Sequence, residues 1–134
     1  MEEMNKGRVL IVDDEEIVRV SCRRILVPEG YEVKSAGSAA EGLAILTDGP
    51  IDVVLTDLKM PDIDGIEVLR RVKKEWPDTE VIMITGYQTI NTAVQAIKLG
   101  AFDYIEKPFI PNDIVEAIEK AIAHRREKRQ DHNE

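Results

Sequence analysis

Three stretches of this chain are apolar at nearly every position: Val9-Leu10-Ile11-Val12, Val53-Val54-Leu55 and Val81-Ile82-Met83-Ile84. Strands covered on both faces read this way, as the middle strands of a parallel sheet do. Two further stretches, Tyr31–Ala36 and Phe102–Glu106, alternate apolar with polar residues, the signature of half-exposed edge strands. Helical spacing follows each strand. Val18, Cys22 and Ile25 mark a first helix that Pro28-Glu29-Gly30 stops. Ser38-Ala39-Ala40-Glu41 is a capping box opening a second, through Leu43 and Ala44 to Asp48-Gly49-Pro50. Asp64 caps a third, with Val68, Leu69, Val72 and Trp76 on one face, ended by Pro77-Asp78. A fourth spans Thr89 to Leu99 and stops at Gly100. The spacing predicts Ile90, Ala93, Val94 and Ile97 inward, and Asn91, Thr92, Gln95, Ala96 and Leu99 outward. A fifth starts near Asn112, turns Ile114, Ile118, Ala121 and Ile122 inward, and frays through a polar tail.

Five strand-helix pairs imply an α/β fold, a doubly wound five-stranded parallel sheet with five helices on its two faces. If the alternating strands two and five are the edges, right-handed crossovers leave 2-1-3-4-5 as the natural order, a flavodoxin-like sheet. Its switch point lies between strands one and three. At 134 residues the chain makes one domain, and its composition (43% hydrophobic, 33% charged) suits a water-soluble globule. No apolar run approaches the roughly 18 residues of a membrane span, and the acidic N-terminus lacks an apolar signal core. Cys22 is the single cysteine and reads as a small buried hydrophobe. These features favour the cytoplasm and no membrane partner. A net charge of -8 argues against direct nucleic-acid binding by this domain and fits a carboxylate site that holds a cation.

Parallel strands all end on one edge of the sheet, so strand ends are where chemistry converges. Asp13 and Asp14 follow strand one, Asp57 strand three, Thr85 strand four and Lys107 strand five. Each has an ordinary reading alone: Asp13-Asp14 as a helix cap, Asp57 as a loop residue, Thr85 as a structural strand end, Lys107 as the residue before Pro108. The Lys107-Pro108 bond is also a candidate cis peptide. Their joint arrival around the switch point is the stronger signal, because ligands of open α/β sheets bind there. Three carboxylates within a few ångströms repel by about 4 kcal/mol per pair at an effective dielectric near 20. They coexist ionised only around a cation, and all-oxygen ligands with water access suit Mg²⁺, or Mn²⁺, better than a softer metal. Carboxylate, hydroxyl, ammonium and Mg²⁺ together are the requirements of phosphoryl transfer.

With these residues in view, the chain from about Arg8 to His124 closely resembles the receiver domain of two-component response regulators. The resemblance is carried by Val12-Asp13-Asp14-Glu15, Thr56-Asp57-Leu58-Lys59-Met60-Pro61 with Asp64-Gly65, Ile84-Thr85-Gly86 and Asp103-Tyr104-Ile105-Glu106-Lys107-Pro108-Phe109. It implies that Asp57 accepts a phosphoryl group from a phosphohistidine on a sensor histidine kinase. It implies Mg²⁺ held by Asp13, Asp14, Asp57 and the backbone carbonyl of Lys59, with Asp14 and Asp57 the more direct ligands. It further implies that Lys107 pairs with the phosphoryl group, that Thr85 turns its hydroxyl toward it, and that Tyr104 rotates into the space vacated. Such a domain is a phosphorylation-dependent switch, not a turnover enzyme, with weak activity toward its own acyl phosphate. Its altered surface around the fourth helix, fifth strand and fifth helix would control an output domain or downstream protein.

Within the family, Thr85-Gly86-Tyr87 and Ala96–Tyr104 are similar to receivers of enhancer-binding (nitrogen-regulatory type, sigma-54-dependent) transcription activators. The expected organisation is an N-terminal tail (1–7), a receiver domain (8–124) and a polar C-terminal segment (125–134). Apolar spacing stops at Ile122, which favours a solvated end for that segment over the start of a linker helix. A homodimer through the fourth helix, fifth strand and fifth helix, or through the C-terminal helix, is open at this point. Two competing functions fit less well. An aspartyl phosphohydrolase usually carries a second Asp two residues after the nucleophile, where this chain has Lys59. A flavin-binding domain of the same fold would need a phosphate loop where Asp13-Asp14-Glu15-Glu16 stands and repels phosphate.

Overall fold

The computed structural model describes residues 5–86 and 90–133. The side chains at 90, 93 and 129–133, and the Tyr87 and Thr89 of the expected motif and helix start, lie outside that description. The elements alternate as expected: β1 (Arg8–Val12), α1 (Glu16–Leu26), β2 (Glu32–Ala36), α2 (Ala39–Asp48), β3 (Val53–Asp57), α3 (Gly65–Glu75), β4 (Glu80–Thr85), α4 (Ile90–Lys98), β5 (Asp103–Glu106) and α5 (Pro111–Asn133). All pairings are parallel and the order is β2-β1-β3-β4-β5, so the alternating strands are the edges. Pro28 converts the end of α1 into a single 3-10 turn, and Gly30, at φ 104°, reverses the chain into β2.

The period-two geometry of the central strands sorts their side chains onto two faces. Val9, Ile11, Val53, Leu55, Ile82 and Ile84 meet Val18, Cys22 and Leu26 of α1 and Ile114, Ile118 and Ala121 of α5. Leu10, Val12, Val54, Val81 and Met83 meet Leu46 of α2, Val68, Leu69 and Val72 of α3 and Ala96 of α4. Each fully buried Val, Leu or Ile contributes about 1.5–3 kcal/mol, so the apolar strands supply most of the driving force. Cys22 is buried, and desolvation pushes its thiol up to about 12, an inert hydrophobe as expected. The caps also form as read: Ser38 Oγ accepts from Glu41 N at 3.2 Å, and Asp64 Oδ1 from Glu67 N at 3.0 Å.

The rotation of α4 differs from the expectation. Ala96 is fully buried and Leu99 packs against the second core, whereas Val94 (45% exposed) and Ile97 (39%) face outward. Thr92, Ala96 and Leu99 are themselves spaced four and three apart, so the helix carries two candidate inward stripes. The small Ala96 side chain lets the backbone approach the sheet closely, and the bulkier stripe is left on the surface.

The helix α5 continues past its last core residue to Asn133, and its next turn is tied to the sheet by charge. Glu80, at the start of β4, has a side chain only 3% exposed. His124 Nδ1 lies 2.5 Å from Glu80 Oε2, Lys128 Nζ 3.6 Å from the same oxygen, and Lys73 Nζ of α3 3.7 Å from Oε1. Arg125 pairs with Asp52 at 3.0 Å beside them. Arg125 and Lys128 of the polar C-terminal segment thus pair with the start of the sheet, as does His124 just before it. Removing a buried carboxylate strands its cations, but these remain partly exposed and recover some hydration. Glu80→Ala is expected to cost about 2 kcal/mol, read from the shift in a denaturant midpoint.

Candidate functional site

Four of the five strands, β1, β3, β4 and β5, deliver a group to the C-terminal rim of the sheet. Asp13 follows β1 directly, and its backbone N–H donates to Ala36 O at 3.1 Å, prolonging the ladder by one residue. Its side chain is fully buried. Oδ1 accepts from Glu15 N at 2.9 Å, while Oδ2 is a buried oxygen with no hydrogen-bond partner, lying 3.3 Å from Lys107 Nζ. Asp14 is exposed. Asp57 is the last residue of β3, with a side chain 12% exposed. Its Oδ1 accepts from Lys59 N at 3.3 Å and its Oδ2 lies 3.3 Å from Lys107 Nζ. Carboxylate oxygens of Asp13, Asp14 and Asp57 all fall within 4.8 Å of one another.

Lys107 reaches this cluster from the loop after β5, where the peptide bond to Pro108 is cis. Its backbone N–H donates to Thr85 O at 2.8 Å, fastening the loop to the end of β4. Its ammonium also meets Glu15 Oε1 at 3.0 Å. No role of its own falls to Glu15 in the sequence, where nothing sets it apart from its three acidic neighbours. Burial raises the pKa of Asp13, helped by the charge of Asp57; the Glu15 N–H and Lys107 oppose this without cancelling it. For Lys107, burial favours the neutral amine, but Glu15, Asp13 and Asp57 together outweigh it and hold the ammonium charged.

Thr85 is fully buried at the end of β4, and its hydroxyl donates to Gly86 O at 2.9 Å. Tyr104 is half-buried in β5, opposite Met83 in the register, packed on the same core face as Ala96. Lys59 lies on the exposed loop after Asp57, with its N–H on the Asp57 carboxylate. Asp13, Asp14, Asp57 and Lys107 therefore share one cluster at the rim, Thr85 ends β4 next to the Lys107 backbone, and Tyr104 lies two residues back from the end of β5. Gly65 seals the floor: its N–H donates to Leu58 O at 2.7 Å, and a Cβ there would lie 2.4 Å from Asp57 O.

The donor set fits a hard divalent cation. Three carboxylates from two strand ends converge, Asp14 exposed to water and Asp13 with a buried oxygen that has only the Lys107 ammonium beside it, and among the described residues no nitrogen or sulfur ligand joins them.

Residues 9–119 match the response regulator receiver domain. This chain belongs to that family. Among curated relatives, the DNA-binding transcriptional regulator NtrC of Proteus hauseri is 38% identical over 130 residues, which cover 97% of this chain and 28% of that protein. Among solved structures, NtrX from Brucella abortus superposes with a TM-score of 0.91 at 36% identity, covering 97% of this chain and 29% of that one. The beryllofluoride-activated NtrC4 receiver domain dimer superposes with a TM-score of 0.83 at 38% identity, covering 88% of this chain and 98% of that one. The chain thus spans little more than a quarter of the NtrC and NtrX proteins it resembles. It is a receiver of NtrC/NtrX type, a signalling domain of two-component systems. Among the described residues, no helix is long and apolar enough to cross a membrane.

Proposed function

We propose that this receiver is a phosphorylation switch in which Asp57 accepts a phosphoryl group from a phosphohistidine on a sensor histidine kinase. The observation that carries the reading is the convergence of Asp13, Asp14, Asp57 and Lys107 at the switch point of the sheet. An Asp57 carboxylate oxygen attacks phosphorus; the new O–P bond forms as the N–P bond breaks, and the released imidazole takes up a proton. Asp13, Asp14, Asp57 and the Lys59 backbone carbonyl would hold Mg²⁺, with Mn²⁺ as the alternative, which supplies positive charge for the phosphoryl oxygens. Lys107, already charged and 3.3 Å from Asp57, pairs with one of those oxygens. Thr85 exchanges Gly86 O for another, and Tyr104 rotates into the space vacated, which couples the phosphoryl group at Asp57 to the edge strand.

Two of the most exposed large apolar side chains, Ile17 (70%) and Ile110 (62%), stand just beyond Glu15 and Lys107, which pair at 3.0 Å. That pairing supports a partner surface for the kinase on this rim. The outward Val94 and Ile97 of α4, on a helix whose one charged residue is Lys98, support a second surface for an output domain, a downstream protein or another receiver. Residues 8–124 form the switch, with transcriptional control as its output. The test is incubation with acetyl phosphate and Mg²⁺. One acid-stable, hydroxylamine-labile phosphoryl group per chain is expected, and multiple turnover of small phosphate esters would overturn the reading in favour of a hydrolase.

A further inference from the structure

The loop between β3 and α3 holds a carboxylate that the phosphoryl chemistry does not use. Asp62 Oδ1 accepts from Ala39 N at 3.3 Å and Oδ2 from Ala40 N at 3.0 Å, the first two residues of α2. The Ala40 bond, with others from nearby backbone, holds this carboxyl below its ordinary range although it stands in solvent. The α2 helix is already capped locally: Ser38 Oγ takes Glu41 N, and Glu41 Oε1 takes Gly37 N at 2.8 Å. Asp62 is therefore a second, non-local cap from 23 and 22 residues away. It ties the loop that follows Asp57 to the start of α2.

The same loop carries Lys59, whose N–H is on Asp57 Oδ1 and whose carbonyl is the fourth cation ligand in the function proposed above. Leu58 anchors the loop at one end through Ile84 O at 3.1 Å, and Gly65 at the other through Leu58 O. Between these anchors Met60 and Ile63 are half-buried against the second core, and their apolar contact does not fix a direction. The charge-assisted pair of bonds at Asp62 does. We propose that Asp62 is a positioning residue: by pinning the loop to the start of α2 it sets the Lys59 carbonyl toward the carboxylate cluster, and so raises the affinity for Mg²⁺. The inference rests on the reading of that cluster as a Mg²⁺ site.

The experiment is calorimetric titration of the whole chain with MgCl₂, alongside thermal melts without metal. Outer partners of metal ligands commonly account for tenfold or more in affinity, so Asp62→Ala is expected to raise the Mg²⁺ dissociation constant about tenfold. Asp62→Asn, which keeps an acceptor and loses the charge, should raise it by less than Asp62→Ala does, and covers the case of an unfolded alanine variant. Ser38→Ala also removes a cap from α2 without touching the loop, so it should lower the melting temperature and leave the Mg²⁺ constant unchanged. An Asp62→Ala or Asp62→Asn chain with the unaltered Mg²⁺ constant overturns the proposal, as does an equal loss in Ser38→Ala, which would reduce Asp62 to a helix cap. Absence of Mg²⁺ binding by the unaltered chain would overturn this inference together with the cluster reading; unaltered binding with an indifferent Asp62 removes this inference alone.

Discussion

Asp57→Asn is expected to take no label from acetyl phosphate and Mg²⁺ while remaining folded. The substitution keeps the shape of the side chain and its acceptor for Lys59 N, but an amide cannot supply the attacking carboxylate oxygen. Asp13 does not replace it, being fully buried and already accepting from Glu15 N. Lys107 loses one counter-charge and keeps two, Asp13 at 3.3 Å and Glu15 at 3.0 Å, so the pocket does not strand a cation. Stability is expected to stay within about 0.5 kcal/mol of the unaltered chain. Phosphoryl incorporation at background, beside an unchanged denaturant midpoint, is the combined result; incorporation of half the normal amount or more would place the acceptor elsewhere.

Gly65→Ala is expected to damage both fold and chemistry. A methyl group at this buried first residue of α3 would sit 2.4 Å from Asp57 O, 2.8 Å from Leu58 Cα and 3.0 Å from Met83 Cε. Two of the three obstacles are backbone, so relief requires the end of β3 or the start of α3 to move. Forcing a group into packed surroundings with a backbone shift costs about 3 kcal/mol. Because the backbone that yields belongs to Asp57, the acceptor is displaced too, and a misplacement near 1 Å costs on the order of 100-fold in rate. The unfolding midpoint and the initial rate of labelling should both fall. A fall in the midpoint with an unchanged rate would mean that α3 gives way and β3 holds.

The fold was legible because burial differs so sharply between strands. Val9–Val12, Val53–Leu55 and Val81–Ile84 are apolar throughout, and the structure covers both faces of each; Glu32 and Lys34 alternate with Val33 and occupy an edge. The site was legible for a related reason: an apolar run broken by Asp13 or Asp57 marks the place where a parallel strand leaves the sheet. What escaped depends on pairing over long separations or on fine rotation. Glu80 reads as an ordinary charged residue before a strand, since His124, its partner, lies 44 residues away. Asp62 looks like loop solvation until α2 is beside it. The outward turn of Val94 and Ile97 escaped because hydrophobicity ranks side chains by transfer free energy, whereas Ala96 wins its place by being small.

Acidic groups crowd the rim where the strands end: Asp13, Asp14, Glu15 and Asp57 gather there, with the Lys107 ammonium paired to three of them. The phosphoacceptor therefore stands under a local excess of negative charge. Diffusing metal ions are drawn to it, and free anions are turned away. A small phosphate donor must approach up an unfavourable potential, whereas a phosphoryl group borne on a large protein can be carried through it by contacts made elsewhere on the rim.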